Sequence, residues 1–335
     1  MRVLIVKTTS MGDVIHTLPA LTDAAAAIPD IQFDWVVEEG FAEIPRWHPA
    51  VDKVIPVAVR RWRKSILNTV RSGEWHRFRK DLKARKYDAV IDAQGLLKSA
   101  LITRMAKGPN FGLDKNSARE PVAAKLYDFP KTVNWEQHAV ERVRQLFAKS
   151  LNYPLPEQPG QFLLDQSRFD DDLIKNKSYV VFIHGTTWPT KHWPETYWCQ
   201  LAQKVQAAGM HIVIPWGSEK EKERANCIAK SSDHIEVLPR LGLGGIAGVI
   251  ANAKAAVAVD TGLGHLTAAL ETPAVSLYGP TRPERVGAYG SAQIHLTVDQ
   301  CPKSQLPKAD PEIFTPMTPD YVWPYLEKLL QEEAS

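Results

Sequence analysis

Two polar segments, each following an apolar run, hold the residues best suited to chemistry. The first contains Lys7 and Asp13, and the second contains Asp260 and His265. Each is typical of a buried strand that ends and enters the first turn of a helix, which is where open α/β sheets bind ligands. One such segment in each half predicts a cleft between two similar domains. One wall would hold an acceptor and a carboxylate base, and the other an anionic donor.

The first segment is not a dinucleotide fingerprint, because it has the single glycine Gly12 where that loop needs three, and it lacks the P-loop lysine. Asp13 has two interpretations. It is a helix N-cap, a position that aspartate fills well, or it is a carboxylate that meets a ligand where Gly12 lets the backbone come close. The residues alone leave both open.

The second segment, Asp260 to His265, begins where an apolar run ends. Backbone N–H groups at the start of a helix attract anions, so a diphosphate would suit this position. The alternative is a capped helix in which His265 is a hydrogen-bonded core residue.

Two further segments supply polar groups after predicted strands. Thr186, Thr187 and Lys191 offer hydroxyls and a compact cation that suit phosphate oxygens. Glu221 follows the next strand and is a candidate acceptor of hydrogen bonds from ribose hydroxyls. Taken alone, its surroundings are more typical of a solvated helix face.

The sharpest charge cluster is Arg60-Arg61-Trp62-Arg63-Lys64. It fits a solvated loop, a nucleic-acid patch, a membrane surface or a site for an anionic lipid or sugar acid. The net charge of only +3 disfavours nucleic acid, which usually recruits a wider basic surface. We therefore favour an anionic acceptor, with the solvated loop as the alternative.

A metal site is not expected. Asp170-Asp171-Asp172 matches the loose pattern of metal-dependent sugar transferases, but it follows no predicted strand and is typical of an acidic helix start. Cys199, Cys227 and Cys301 are too widely spaced for a zinc pattern, and they favour a reducing compartment. We also expect no signal peptide and no membrane span.

The elements that would position these residues alternate between strands and helices in both halves. Strands are predicted over 3–6, 33–37, 53–57, 88–92, 179–183, 211–215, 235–238, 255–259 and 274–278. Repeated βα units with short loops predict doubly wound parallel sheets. Between the halves, the segment 153–160 holds three prolines and a glycine, which is typical of an interdomain linker.

With these segments in place, the chain resembles the ADP-heptose:lipopolysaccharide heptosyltransferase family. The similarity covers most of the chain and includes MRVLIVKTTSMGDVIHTLPAL, RRWRK, YDAVIDAQGLLKSA, HAVER, KHWPE and VDTGLGHLTAAL. The stretch with RRWRK indicates the branch that acts on the first Kdo sugar rather than branches that act on later core heptoses. The C-terminal motif is shared by the whole family and is less discriminating.

The resemblance implies the GT-B fold, in which two Rossmann-like, doubly wound domains face each other across a cleft. It implies an acceptor-binding domain over 1–153 and an ADP-heptose-binding domain over 154–318. A C-terminal helix over 319–335 is predicted to pack back on the N-terminal domain. The implied location is the cytoplasm, peripheral on the cytoplasmic face of the bacterial inner membrane, with no nucleic-acid partner.

The resemblance also implies a reaction that needs no cofactor. Heptose passes from ADP-L-glycero-β-D-manno-heptose to the 5-hydroxyl of the first Kdo of Kdo2-lipid A, with inversion. Asp13 would be the general base. The implied donor-binding residues are Thr186, Thr187, Lys191, Glu221, Leu241, Asp260, Thr261, Gly262 and His265, and the implied acceptor-binding residues are Arg60, Arg61, Arg63, Lys64 and Arg119. Relatives commonly carry serine at the position of Gly264, but the anion-binding backbone remains.

The residues agree with this chemistry. An inverting transfer needs a carboxylate on the acceptor side and positive charge around the departing ADP. Lys191 and helix N-termini could neutralise the leaving group without a metal, and the site would be complete only when the domains close. Two other classes stay open. A sugar-nucleotide epimerase of the same fold would not need the basic loop, and a non-catalytic binder of anionic lipid would not need Asp13.

Overall fold

The computed structural model describes residues 1–65, 69, 71–164, 166–169, 174, 177–302 and 312–332. The chain divides into two compact units, Met1–Leu164 and Asp165–Ser335. The division falls after Leu164, eleven residues beyond the position 153/154 that the sequence analysis predicts. Asp170-Asp171-Asp172 lies outside the described residues.

The predicted linker packs on the first unit, which explains the later boundary. The buried guanidinium of Arg144 donates a 2.8 Å hydrogen bond to the carbonyl of Gln158 and forms a 2.7 Å ion pair with Asp23. A Cβ placed on Gly160 would lie 2.8 Å from Pro19 and 2.9 Å from Arg144. Gly160 therefore lets this segment lie close against the first unit.

The first unit is a six-stranded parallel sheet covered by helices. Its strands are β1 (Arg2–Val6), β2 (Gln32–Glu38), β3 (Val51–Val57), β4 (Ala89–Asp92), β5 (Asn110–Leu113) and β6 (Phe129–Lys131). Its described helices are α1 (Met11–Ile15), α2 (Leu18–Ala27), α3 (Val59–Trp62), α4 (Glu74–Leu82), α5 (Leu97–Met105) and α6 (Ala139–Leu151). The spatial order of the strands is β3-β2-β1-β4-β5-β6.

The second unit repeats this plan. Its strands are β7 (Tyr179–Ile183), β8 (His211–Ile214), β9 (Ile235–Val237), β10 (Ala255–Val259), β11 (Ala274–Tyr278) and β12 (Gln293–Thr297). Its described helices are α7 (Glu195–Ala207), α8 (Glu219–Ala229), α9 (Leu243–Ala251), α10 (Gly262–Ala269), α11 (Pro283–Val286) and α12 (Pro319–Glu332). The spatial order is β12-β11-β10-β7-β8-β9.

Both sheets thus have the strand order of a Rossmann fold, and the predicted α/β class with two doubly wound sheets is confirmed. In each sheet the first and fourth strands of the unit are neighbours, β1 beside β4 and β7 beside β10. The chain leaves in opposite directions from this pair of strands. Such a switch point opens a crevice at the carboxyl ends of the strands, which is where both polar segments begin.

The apolar runs predict the central strands because those strands are buried on both faces. All five residues of β7 and of β10 are buried. The strands β5, β6 and β12 are not predicted from the sequence. β6 is a three-residue edge strand that contains Pro130, and β12 is a half-buried edge strand. Neither has the continuous apolar run of a covered strand.

The C-terminal helix α12 packs within the second unit, against α7, β10 and β11. Val322, Leu326 and Leu329 place its apolar face in the core of that unit. Its predicted contact with the N-terminal domain stays a prediction. Within the described ranges, no helix is both long enough and apolar enough to cross a membrane.

Candidate functional site

Asp13 is the third residue of α1, the short helix that follows β1. Its carboxylate oxygen Oδ2 accepts hydrogen bonds from the backbone N–H of Ser10 at 2.7 Å and from the Ser10 hydroxyl at 2.8 Å. The side chain is nevertheless 37% exposed. Asp13 therefore supports the start of the helix and also presents its carboxylate to solvent. The two interpretations left open by the sequence are compatible.

Lys7 provides a fixed positive charge beneath this carboxylate. Its ammonium nitrogen lies 3.7 Å from Oδ1 of Asp13 and donates a 2.8 Å hydrogen bond to the carbonyl of Ala93. Burial lowers the pKa of Lys7, while the negative charges of Asp13 and Asp92 act in the opposite direction. The ion pair fixes the position of the Asp13 carboxylate near the end of β1.

Gln94, which follows β4, holds the loop after β1 in place. Its side-chain oxygen accepts hydrogen bonds from the backbone N–H groups of Thr8 at 2.9 Å and Thr9 at 3.1 Å. Asp92 positions Gln94 in turn, because its buried carboxylate accepts from the Gln94 N–H at 2.8 Å and from the Tyr127 hydroxyl at 2.8 Å. Burial raises the pKa of Asp92. The sequence analysis assigns no role to these residues, although Asp92 and Gln94 lie in the segment YDAVIDAQGLLKSA.

In the basic segment, Arg61 is committed to ion pairs. Its guanidinium bonds both carboxylate oxygens of Glu39, at 3.1 and 3.0 Å, and also contacts Glu74 at 2.9 Å. The Trp62 indole donates a 2.7 Å hydrogen bond to Glu74. The hydrogen bonds from Arg61 and Trp62 lower the pKa of Glu74 to about 2. Arg61 and Trp62 therefore fix the segment against α4, and the prediction that Arg61 contacts an anionic acceptor has a competing structural explanation.

The other cations of the segment point outward, since Arg60, Arg63 and Lys64 are exposed. Arg119 is also exposed, and the loop that carries it passes close to the switch point. A Cβ placed on Gly95 would lie 3.5 Å from the backbone nitrogen of Arg119.

The strand order places these cations on both sides of Asp13. The basic segment follows β3 and Arg119 follows β5, which are two strands from β1 in opposite directions. Neighbouring strands lie about 4.8 Å apart, so each group stands about 10 Å from the end of β1 along the sheet edge. The predicted acceptor-binding residues of the first unit thus share one edge of one sheet.

In the second unit, Asp260 is the centre of the corresponding edge. Its carboxylate oxygen Oδ2 lies 2.5 Å from the ammonium of Lys191, and its Oδ1 lies 3.9 Å from Nε2 of His265. The Thr186 hydroxyl donates to the Asp260 carbonyl at 3.2 Å. The Asp260 side chain is only 8% exposed whereas that of Lys191 is 24% exposed, so the cation is the more accessible member of this pair.

The start of α10 adds backbone donors beside this pair. Thr261 is the N-cap residue in extended conformation, and the helix begins at Gly262. The first N–H groups of a helix lack partners within it and carry a partial positive charge. The segment therefore presents an ammonium and helix N–H groups together, an arrangement that suits a diphosphate.

Glu221 also lies at this edge, but it has a local role as well. Its carboxylate accepts hydrogen bonds from the N–H groups of Gly217 at 2.7 Å and Ser218 at 3.2 Å, which caps α8. A Cβ on Gly185 would lie 2.8 Å from the Glu221 carboxyl carbon. Glycine at this position thus lets the loop after β7 approach Glu221 closely.

The remaining predicted donor residues follow neighbouring strands. Thr187 is exposed in the loop after β7, and half-buried Leu241 precedes α9 after β9. The order β10-β7-β8-β9 brings the ends of these four strands side by side. All the predicted donor residues therefore lie at the carboxyl edge of one sheet.

Histidines support the loop after β7, which the sequence analysis does not anticipate. His184 is fully buried, and burial lowers its pKa to about 3. Burial also lowers the pKa of His192, whose ring contacts Arg224. Arg224 in turn bonds Glu195 at 3.1 Å. These neutral imidazoles belong to the packing that holds Lys191.

The chemistry that these edges can perform is divided between the units. The first offers a carboxylate flanked by cations, and the second offers an ammonium and helix N–H groups for an anionic group. In the part of the chain that the structure describes, three or more metal-ligating side chains never come together.

Comparison with known proteins identifies the family of the chain. Residues 75–312 match the model of glycosyltransferase family 9 (heptosyltransferase). Lipopolysaccharide heptosyltransferase 1 of Pseudomonas aeruginosa is 61% identical over 300 residues, covering 89% of this chain and 84% of that protein. The protein of the same name from Escherichia coli K12 is 53% identical over 295 residues, covering 88% of this chain and 92% of that protein.

Solved structures are similar over nearly the whole chain. E. coli heptosyltransferase WaaC with ADP has a TM-score of 0.90 and 48% identity, covering 98% of this chain and 100% of that one. WaaC with ADP-2-deoxy-2-fluoro heptose has a TM-score of 0.87, again at 48% identity, covering 98% of this chain and 99% of that one. A sugar-nucleotide epimerase, UDP-GlcNAc 2-epimerase from Methanocaldococcus jannaschii, is similar at 12% identity and a TM-score of 0.51, which shows a common fold alone.

Proposed function

The chain belongs to glycosyltransferase family 9, and from this premise we propose that it transfers heptose to the first Kdo sugar of Kdo2-lipid A, with inversion. Heptosyl transfer in the synthesis of the lipopolysaccharide inner core is its activity, and a nucleotide-heptose is its donor. The proposal adds the acceptor, the stereochemistry and the roles of individual residues. The observation that carries it is the placement of Asp13 and of Lys191 with Asp260 at equivalent edges of two sheets.

The donor is ADP-heptose, held by the second unit. Lys191 and the N-terminus of α10 bind the diphosphate. The hydroxyl of Thr187 donates to its oxygens, as does that of Thr186 after turning away from the Asp260 carbonyl. The supporting geometry is the ion pair of Lys191 with Asp260, in which the ammonium is the more exposed member. A phosphate that approaches Lys191 gains a charge-assisted contact while Asp260 and His265 keep the ammonium in place. The remaining contacts to the phosphates, the ribose and the adenine come from Thr261, Gly262, Glu221 and Leu241.

The acceptor is an anionic lipid-linked sugar, held by the first unit. Exposed cations lie on both sides of Asp13, namely Arg60, Arg63, Lys64 and Arg119. This arrangement suits an acceptor that carries carboxylates and phosphates. We assign Arg61 to holding the basic segment, because Glu39 and Glu74 already neutralise its charge. Peripheral contact with the cytoplasmic face of the inner membrane follows from the same exposed cations and from the lipid nature of the acceptor.

The reaction is a single displacement. The 5-hydroxyl oxygen of Kdo forms a bond to the anomeric carbon of the heptose while the bond to ADP breaks on the opposite face. ADP leaves with the electron pair, and Lys191 and the α10 N–H groups stabilise its growing charge. The hydroxyl becomes acidic as the new bond forms, and its proton passes to Asp13. The reaction requires the two units to bring their substrates together.

The test is incubation with ADP-heptose and Kdo2-lipid A, followed by mass spectrometry and NMR of the product. We expect one heptose to be added, on the first Kdo, with inverted anomeric configuration. A second reaction with an acceptor that already carries the first heptose should give no product. Product only from that second acceptor would mean that the enzyme acts later in the core. A donor that isomerises without acceptor would indicate an epimerase, and binding of acceptor without turnover would indicate a lipid-binding protein.

A further inference from the structure

The start of α6 lies beside α1, the helix that carries Asp13. His138 is the N-cap of α6, and its Nδ1 accepts the N–H of Val140 at 3.2 Å. The ring of His138 packs edge-on against the ring of His16, with the centroids 5.2 Å apart. His16 is one residue beyond the end of α1 and three residues from Asp13. The first turn of α6 is therefore fixed close to the proposed base.

Arg142 lies one turn further along α6, and an aromatic ring orients it. Its guanidinium carbon stands 4.3 Å from the centroid of the Trp135 ring. A guanidinium over an aromatic face presents its N–H donors at its edge, in the fork geometry that matches a carboxylate. Arg142 is half-buried, so this orientation is held by packing.

Electrostatics places Arg142 near the same loop. After burial and the opposing effects of Asp13 and Asp92, the charge of Arg142 further lowers the pKa of Lys7. The Lys7 ammonium is itself 3.7 Å from Asp13. The Lys7 ammonium after β1 and the Arg142 guanidinium on α6 are thus both within electrostatic reach of this loop, together with the carboxylates of Asp13 and Asp92.

We propose that Arg142 binds the carboxylate of the same Kdo sugar whose hydroxyl is deprotonated by Asp13. This inference rests on the proposed function, because it requires a ulosonic acid as the acceptor. In Kdo the carboxyl group and the 5-hydroxyl lie across one six-membered ring, so a residue near Asp13 can reach the carboxylate. The phosphates of lipid A are at least one sugar residue further away. Arg60, Arg63 and Lys64, two strands away, remain for those phosphates.

The site acts as a positioning device for the acceptor. A bidentate contact between Arg142 and the carboxylate would fix the orientation of the sugar ring and direct the 5-hydroxyl at Asp13. It would also select a sugar acid over a neutral sugar, because a neutral group in this place would not make the charge-assisted contact.

The experiment compares two acceptors in two enzymes. The acceptors are Kdo2-lipid A freed of its O-linked acyl chains and the same molecule with its carboxyl groups converted to amides. For the wild type, we expect amidation to lower kcat/KM about 10- to 100-fold, as expected for loss of a charge-assisted contact. Arg142→Gln should show a similar loss with the native acceptor. For Arg142→Gln, amidation of the acceptor should then lower kcat/KM by less than about threefold further, because the substitution has already removed the contact that amidation would remove.

Lys149→Gln is the matched control, because it removes a cation from the same helix near the opposite end, where Lys149 bonds the carbonyl of Thr132. It should respond to amidation as the wild type does. Arg142→Lys keeps the charge without the fork and should give an intermediate loss. Affinity for ADP should be unchanged in all variants.

The outcomes are distinguishable. If amidation lowers kcat/KM by the same factor in the wild type and in Arg142→Gln, Arg142 has only a structural role and the inference fails. Equal use of both acceptors by the wild type also overturns it. If the wild type adds no heptose to the native acceptor, the proposed function itself fails.

Discussion

The two units have six parallel strands in the same order but present opposite charge where their first strands end. After β1 the exposed group is the carboxylate of Asp13, while its cation Lys7 is buried. After β7 the more exposed group is the ammonium of Lys191, while its carboxylate Asp260 is 8% exposed. Under the proposed function, the fold would set where each substrate binds, and the burial of one member of each ion pair would set which charge the substrate meets.

A buried ion pair keeps its inner member fixed because an unpaired charge inside a protein is costly. In the proposed reaction, Lys7 would thus orient Asp13 towards the acceptor hydroxyl, and Asp260 would orient Lys191 towards the donor diphosphate. Exchanging the accessible charge should destroy one function of the site while leaving the other. The following predictions test this division, beginning with the largest expected effect.

Replacing the exposed carboxylate of the first unit should have the largest effect. Asp13→Asn keeps a side-chain oxygen for the hydrogen bonds from Ser10 but removes the base. We expect kcat to fall by about 10²–10⁴, the usual range for a positioned general base, with ADP-heptose affinity within a few-fold of the wild type. Steady-state kinetics, ADP titration and the melting temperature together check it.

Ser10→Ala is the control, since it removes one capping hydroxyl but leaves the base. It should lower stability by about 0.5–1.5 kcal/mol and change kcat much less than Asp13→Asn does. Wild-type turnover by a stable Asp13→Asn enzyme would leave Asp13 with the capping role alone.

Replacing the accessible cation of the second unit should affect the donor. Lys191→Ala should raise the Kd for ADP and the KM for ADP-heptose more than tenfold, because a charge-assisted contact contributes roughly 1.5–3 kcal/mol. Acceptor KM should change little. Asp260→Ala should also weaken the donor, because it leaves Lys191 without its 2.5 Å partner.

Lys191→Arg keeps the positive charge, so it should recover part of the affinity for ADP that Lys191→Ala loses. Calorimetric titration with ADP gives the answer without turnover. If both Lys191→Ala and Asp260→Ala bind ADP normally, the diphosphate lies elsewhere and the comparison between the units does not hold.

Low pH should lower the folding stability of the second unit through His184. Its pKa of about 3 in the folded protein lies below the ordinary 6.5, so only the unfolded chain gains the proton between those values. The stability that neutral His184 contributes is therefore fully present above pH 6.5 and is lost progressively as the pH falls towards 3. At pH 5 the loss from this group is about 2 kcal/mol.

His184→Leu should remove that part of the pH dependence, which denaturant unfolding at pH 5 and pH 7.5 would measure. Replacing the exposed His76 with leucine is the control, and it should unfold with the pH dependence of the wild type. An unaltered pH dependence in His184→Leu would show that other groups govern the response to acid.

Within the basic segment, the exposed cations and the paired one should behave differently. Replacing Arg60 and Arg63 with serine should raise the acceptor KM about three- to tenfold and reduce its salt dependence, with donor affinity unchanged. Arg61→Ser should mainly lower the melting temperature, because it removes the contacts to Glu39 and Glu74. A purely kinetic effect of Arg61→Ser would return Arg61 to the acceptor site.

Chelation should have the smallest effect. Lysine and helix N–H groups provide positive charge for the leaving ADP, so we expect turnover to persist in EDTA. Loss of most activity, with recovery on adding Mg²⁺ or Mn²⁺, would bring Asp170-Asp171-Asp172 back into consideration.

The sequence by itself determined the two α/β halves, because strands covered on both faces need continuous apolar runs. It also determined the positions of Asp13 and of Asp260 to His265, because polar residues after such runs fall at the carboxyl edge of the sheet. It did not predict β5, β6 and β12, which lack those runs, or the boundary after Leu164, which depends on how residues 153–160 pack.

The tertiary structure alone decided which charges are accessible. Lys7 and Lys191 are both lysines after strands, yet the side chain of Lys7 is 8% exposed and less accessible than its carboxylate, whereas that of Lys191 is 24% exposed and more accessible than its carboxylate. The same is true of the basic segment, where Arg61 is neutralised by Glu39 and Glu74 from other elements. The pairs of Lys191 with Asp260 and of Arg61 with Glu39 and Glu74 join residues from different elements, so local sequence pattern carries no signal for them. The burial of each partner, set by packing around it, decides which charge remains for a substrate.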